Sequence, residues 1–377
     1  MAVRMVSLRR IRDGCVALGR ALVCVSLGCH VAVAVAPAAY ANPLVGASTP
    51  DEFLWQTNSE DTRIHVFRLR DFALVRELDV GPQPHGIAAP DDGRVVYVSL
   101  EANGKPSGEL LWIDPWRLEV EHRVRVGPEP HAIATTPDGR WVYVPCRDGY
   151  YWVVDAAARR VVEKIHTGGR PHNTQASRDG RTMYLSPMGG PNGVTVVDVA
   201  AGHVVTGQIP FGESVRPSAL SADGRWLLHH VDGLNGFLAA STEQRSIVAT
   251  VRHSTTLGSF IPVKSLGYLT RAGFRRCHGL AVRPDQTEVW SACAEHLAIH
   301  RLDPPAFPET AIVELPGKGY WLTFSPDGRY GFVALSDRDE VAVVDATERR
   351  VVRLLRTGKA PKRNLVLRSG IEIVQRP

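Results

Sequence analysis

"GPEPHAIATTPDGRWVYV", residues 127–144, decides the fold. Pro137-Asp138-Gly139 is a turn signature: proline pre-sets φ, aspartate bonds the following backbone, and glycine tolerates positive φ. The residues behind it, Trp141-Val142-Tyr143-Val144, are the aromatic and β-branched types that suit a pleated strand. A short run in front completes a hairpin. One residue looks out of place. His131 stands where the small, apolar first strand begins.

The hairpin recurs along the chain. Ungapped copies begin at Gly81, Gly127, Gly168, Gly212, Phe274, Pro316 and Gly358, at spacings of 46, 41, 44, 62, 42 and 42 residues. Each copy continues with a polar loop, a strand such as "YYWVVDA" or "EVAVVDA", and a further strand such as "RVVEKIHTG" or "RVVRLLRTG". Four short strands per 40–45 residues, without strong helix signals, are the pattern of propeller blades. The expected fold class is therefore all-β: a seven-bladed β-propeller of four-stranded blades. The last copy is short of strands, and "RIHVFRL" and "LVRELDV" precede the first one. Blade seven should be closed by both N- and C-terminal strands, which removes exposed strand edges. Residues 53–57 and 371–375 compete for the same place in it, and the sequence leaves that choice open.

"PHAIATTPDGRWVYV" with the trailing "VVDAAARRVVEKIHTG" resembles the YVTN-type β-propeller repeat of exported bacterial proteins, a WD40/YVTN-like repeat. The resemblance covers residues 53–377. It implies the propeller fold but not one activity. Similar propellers include lactone-processing enzymes, haem- or copper-dependent periplasmic oxidoreductases, and proteins that only bind.

Residues 1–41 read as a signal peptide and 42–377 as a single propeller domain. Arg4, Arg9, Arg10, Arg12 and Arg20 form a basic region; "ALVCVSLGCHVAVAVA" is apolar; Ala39-Tyr40-Ala41 fits a cleavage site. The expected location is exported, periplasmic or secreted, with no stable membrane span after cleavage. The leader carries a net +4 of the chain's +5. The remaining +1 gives no ground for a nucleic-acid partner. Cys146, Cys277 and Cys293 stay in the mature chain. Cys277 and Cys293 fall nearly opposite each other across a hairpin and are candidates for a disulfide, which an oxidising compartment permits. Cys146 has Pro130 in its partner slot and should be a free thiol.

In a propeller the first strand of each blade lines the channel. Position five of the repeat then forms a seven-membered ring at one mouth: His85, His131, His172, Arg216, His278, Tyr320 and Lys362. None is aliphatic. Polar groups converging in a concavity are the default binding-site hypothesis. They suit a small anion, held by Arg216 and Lys362 with the imidazoles and Tyr320 as hydrogen-bond partners. They also suit a transition metal such as copper on His85, His131, His172 and His278. A wet mouth, where polar residues cost little, is the bland alternative, and a full ring without an aliphatic residue weighs against it. His131, Arg216, Tyr320 and Glu101 are the catalytic candidates. Glu101 and, more weakly, Glu213 are the nearby carboxylates, although both types are ordinarily surface acids. The 62-residue spacing puts extra chain near residues 251–277, rich in basic residues, where a lid over the mouth is possible. His229 and His230 alternate to opposite faces and are discounted as a chelating pair. The chain lacks a G-x-S-x-G elbow, H-E-x-x-H and C-x-x-C-H. Three functions remain open: a binding protein, a metal-dependent oxidoreductase, and a lactonase-like hydrolase or isomerase.

Overall fold

The computed structural model describes residues 51–254 and 277–369. Seven four-stranded antiparallel sheets make a propeller, and no helix occurs among the described residues. The first strands are Pro84–Ala88, Ala134–Thr135, Arg170–Ala176, Val215–Leu220, Cys277–Val282, Gly319–Phe324 and Pro361–Arg368. They stand side by side around the channel.

Blade seven joins the two ends of the chain. Pro361–Arg368 is its first strand, and Glu52–Asn58 lies beside it, followed by Arg63–Arg68 and Ala73–Asp79. The register pairs Phe53 with Leu367 and Trp55 with Leu365. Thus residues 53–57 take the contested place, while residues 371–375 lie outside the described residues. Trp55 is fully buried in a cluster with Phe53, Ile64, Val66 and Leu367. Apolar burial of this kind at about 25 cal/mol per Å² is what holds the closure.

Similar clusters fill the spaces between blades. Ala219, Leu228, Phe237 and Val251 from blade four meet Leu280, Val289 and Phe307 from blade five. Side chains on both faces of each sheet are therefore buried, which explains why the middle strands read as continuous apolar runs rather than as alternating ones.

The first strands carry a shared irregularity. In blades one, three, four, five, six and seven the ladder to the neighbouring strand slips by one residue at the ring position. In blade five, for example, Cys277 pairs with Cys293 and Gly279 with Ala292, so His278 is the extra residue. A bulge of this kind bends the strand and re-aims side chains. In blade two the short strand begins after the ring position, and the His131 backbone N–H instead donates to Pro145.

Candidate functional site

The bulges bring the ring together. His85 and His131 have ring centroids 3.8 Å apart, and so do His131 and His172. His172 lies 6.1 Å from His278, which stacks on Tyr320 at 3.9 Å. The Lys362 ammonium sits 4.1 Å above the Tyr320 ring. Such close approach needs small residues behind the ring. A Cβ on Gly86 would come within 2.1 Å of the His131 carbonyl oxygen.

The His85–His131–His172 side of the ring is not a wet rim, whereas His278, Tyr320 and Lys362 are half-buried. His85 is 2% exposed, His131 8% and His172 5%. Burial is the main reason that His85, His131, His172 and His278 all lie well below the usual imidazole pKa; nearby Arg363 adds to the effect at each. The four rings are neutral at physiological pH.

Glu101 belongs to the same cluster. Its side chain is buried, and one carboxylate oxygen lies 3.0 Å from His85 Nδ1. The other lies 4.0 Å from His131 Nε2. A buried carboxylate takes a proton donor, so His85 carries its hydrogen on Nδ1. His85 Nε2 and His131 Nδ1 are buried with no hydrogen-bond partner among the described residues. Glu213, by contrast, is exposed.

Arg216 reaches the ring but is neutralised within its own blade. Its Nε and Nη2 donate to the two carboxylate oxygens of Asp232 at 2.6 and 2.5 Å. This bidentate pair leaves Arg216 without a free charge for a ligand.

A different arginine has no such partner. Arg363, the residue after Lys362, is 4% exposed. Its Nη2 donates to Asn173 Oδ1 at 3.0 Å, and its guanidinium lies 3.6 Å over the Trp321 ring. Its Nε is unsatisfied, and no carboxylate lies within ion-pair distance among the described residues. Burial pulls its pKa down to about 10. Lys362 is also lowered, by burial first. With the imidazoles neutral and Arg216 paired, the charged groups at the ring and directly behind it are Lys362 and Arg363 against Glu101.

Asn173 connects the cation to the ring. Its Oδ1 accepts from Arg363, so its Nδ2 is the donor 2.7 Å from His172 Nδ1. His172 therefore carries its hydrogen on Nε2. His278 Nδ1 donates to the Tyr320 carbonyl oxygen at 2.9 Å.

Below the ring the channel opens into a funnel of about 490 Å³. Arg363, Trp321 and Asn173 line it together with Thr174, Gln175 and Ser218. Residues of the first-hairpin turns, among them Arg178 and Gln286, also border it.

Arg363, Asn173 and Trp321 occupy position six of the repeat, which strict strand alternation would point away from position five. The bulge brings both positions to the channel. A basic residue directly following Lys362 is the trace of this in the sequence. Asp232, which decides the state of Arg216, sits in the loop after the second strand and has no repeat signature.

For a metal, the group able to close on one ion is His85, Glu101 and His131, with ligand atoms within 4.8 Å of one another. His172 and His278 lie outside that group, each with Nδ1 already hydrogen-bonded. Cys277 and Cys293 form a disulfide, and Cys146 is a buried free thiol. Burial raises the Cys146 pKa, which keeps it protonated. Residues 1–41, the expected leader, and residues 255–276, including Lys264, Arg271, Arg275 and Arg276, lie outside the described residues.

No family model and no curated protein matches the chain. Solved structures do match. A Bacteroides fragilis protein described as a candidate 6-phosphogluconolactonase is 13% identical with a TM-score of 0.68, covering 86% of this chain and 99% of its own. The periplasmic gluconolactonase of Pseudomonas aeruginosa is 18% identical with a TM-score of 0.64, covering 85% and 99%. Kuenenia stuttgartiensis hydrazine synthase is 17% identical with a TM-score of 0.61, covering 77% and 96%. At these identities the likeness establishes the seven-bladed propeller and nothing finer.

Proposed function

We propose that this chain is an exported propeller of the YVTN type that binds a small organic anion in its channel. The observation that carries the reading is Arg363: a buried guanidinium with no carboxylate partner. Burying an uncompensated charge is costly, and one partner missing from a pair is costlier than having neither. An anionic ligand supplies the missing partner. Lys362 adds a second positive charge, and the imidazoles of His131, His172 and His278 with Tyr320 offer hydrogen-bonding groups around it. The funnel gives a path to Arg363 from the hairpin-turn face.

The ligand class that suits two cations and many neutral donors is a hydroxylated carboxylate, such as a sugar acid. Titration of untagged protein with gluconate, in chloride-free buffer, tests this. Saturable binding that weakens with salt supports it. Absence of heat or chemical-shift change at millimolar concentrations of gluconate, citrate and phosphate would sink it.

The His85–Glu101 contact favours a second, enzymatic reading on the same site. A carboxylate bonded to an imidazole is a proton-transfer pair. With a lactone, Glu101 would take a proton from the attacking water, the ring C–O bond would break as the carboxyl forms, and the leaving oxygen would take that proton back from the protonated Glu101. Arg363 and Lys362 would steady the oxyanion. Two of the structural neighbours are described as lactonases, which makes a sugar lactone the first substrate class to assay. A copper-dependent oxidoreductase would rest on His85, His131 and Glu101; Lys362 and Arg363 oppose a dication there.

A further inference from the structure

A second histidine cluster lies between blades four and five, away from the ring. His253 follows the outer strand of blade four, Ser246–Arg252. His300 is in the third strand of blade five, His296–Arg301, and Glu309 begins the fourth, Glu309–Glu314. His253 Nδ1 and His300 Nε2 are 2.9 Å apart. Glu309 Oε2 lies 3.6 Å from the same His300 nitrogen.

The hydrogen count of this cluster does not balance. His300 Nδ1 faces the Phe307 carbonyl oxygen at 2.8 Å and must donate. His230 Nδ1 faces the Gly236 carbonyl oxygen at 2.8 Å and must donate. Between them run three more contacts: His300 Nε2 to His253 Nδ1, His253 Nε2 to Ser291 Oγ at 3.0 Å, and Ser291 Oγ to His230 Nε2 at 3.1 Å. That makes five contacts, each needing one hydrogen. Three neutral imidazoles and one hydroxyl supply only four. Two longer approaches, Gly279 O to His230 Nε2 at 3.3 Å and Cys293 Sγ to Ser291 Oγ at 3.7 Å, bring no further hydrogen, because Cys293 is in the disulfide.

One arrangement leaves a single unfilled gap, between His253 Nδ1 and His300 Nε2. His253 Nε2 then donates to Ser291, and Ser291 donates to His230. Two lone pairs face each other next to a carboxylate. The structure assigns that place to a divalent transition metal such as zinc, held by His253 Nδ1, His300 Nε2 and Glu309. Metal–nitrogen bonds of about 2.0–2.1 Å across a 2.9 Å gap correspond to an angle of about 90°. The outer contacts are those that orient metal ligands: each imidazole donates its other N–H, and Glu309 accepts from the backbone N–H of Ser254 at 3.0 Å and from its hydroxyl. Two imidazoles with one carboxylate suit zinc, cobalt or iron(II). Glu309 is partly exposed, which leaves an entry path. The metal would clasp the end of blade four to the outer strands of blade five.

The test uses untagged protein stripped with EDTA and carrying His131→Ala and Glu101→Gln, so that the channel group contributes nothing. Cobalt(II) is titrated by its visible absorption and zinc(II) by calorimetry. One equivalent per chain is expected, and zinc(II) should raise the melting temperature. Adding Glu309→Gln, which can keep its contacts to Ser254, should weaken uptake about ten- to hundredfold. His300→Asn should do the same. A shared proton in the same gap is the competing filler, and it predicts no uptake. The inference fails if the background variant takes up neither metal, or if Glu309→Gln and His300→Asn titrate like that background. Anion binding in the channel is read separately and is untouched by either result.

Discussion

Replacing Arg363 with Met should move binding and stability in opposite directions. The native guanidinium is held in the fold against its preference. Depression of its pKa to about 10 corresponds to about 3 kcal/mol, at about 1.4 kcal/mol per tenfold change. Met keeps the length and an apolar stem over Trp321 but removes the charge. Two losses offset the gain. Asn173 Oδ1 loses its donor, worth about 1 kcal/mol for a hydrogen bond. The cation–π contact at 3.6 Å is worth up to about 2 kcal/mol when desolvated, part of which Met retains by packing. The expected outcome is a fold between unchanged and about 2 kcal/mol more stable in urea unfolding, since buried charges replaced by apolar groups of similar size are often stabilising.

Ligand affinity should fall instead. A hydrogen bond to a charged group contributes about 1.5–3 kcal/mol, so loss of Arg363 should weaken an organic anion roughly ten- to hundredfold. Gluconate titration of both proteins, with urea unfolding of ligand-free samples, measures the two numbers side by side. A variant that is clearly less stable but binds as the native protein does would refute the reasoning. It would mean that Arg363 is a structural plug and that the charge is balanced in some other way.

Other consequences follow from the same geometry. Glu101→Gln keeps the hydrogen bond to His85 but removes the base; if lactone turnover is present, kcat should fall about a hundred- to ten-thousandfold with gluconate affinity changed less than about threefold. Acid should destabilise the fold. Burial holds His229 neutral with a pKa of about 3, below the unfolded value near 6.5. The unfolded chain then binds more protons, so stability is complete above about pH 6.5 and declines as pH falls; from 6.5 to 5 this one residue accounts for about 2 kcal/mol. Urea midpoints that do not fall across that range would contradict the buried neutral state. Reduction of Cys277–Cys293, which closes a separation of 16 residues, should lower stability by about 2–3 kcal/mol, and a Cys277→Ser/Cys293→Ser double variant should show the same loss in non-reducing buffer.

The fold was legible because the turns repeat. Seven Asp-Gly-like hairpins in register set the number of blades, and the incomplete last copy implied closure by both chain ends. The ring was legible at position five for the same reason. Its energetics were not. Arg216 looked like a free cation, but Asp232 in the following loop pairs with it, and no periodicity marks a loop residue. Glu101 looked like a surface acid because acids usually are; its burial depends on the ring closing over it. Arg363 was passed over because alternation assigns neighbours to opposite faces, a rule that fails at a bulge. The choice between residues 53–57 and 371–375 turned on cross-strand packing of Phe53 and Trp55, which pattern alone cannot weigh.

The bulges deserve a physical reason of their own. A regular first strand would present one inward position per turn of the pleat, and seven side chains from one level would crowd the axis. An extra residue at the same place in six blades turns two consecutive positions toward the channel. At the upper position the imidazoles of His85, His131 and His172 lie tilted against one another at centroid spacings of 3.8 Å. The lower takes a small residue, Gly86, Ala132 or Gly279, in three blades, Pro217 in blade four, and the polar and aromatic groups Asn173, Trp321 and Arg363 in the other three. The small residues let adjacent strands close up, which makes the close approach of the imidazoles possible. Arg363 of blade seven reaches across the channel to Asn173 of blade three, with Trp321 of the adjacent blade six under its guanidinium. A sevenfold scaffold thereby carries an asymmetric site that spans the axis, with its cation held by two groups that the repeat pattern does not require. If Asn173→Ala alone shifts Arg363 enough to weaken anion binding about tenfold while leaving the melting temperature within a few degrees, the asymmetry serves the ligand. If it changes stability and leaves binding intact, the lower ring is packing and the site must lie above the histidines.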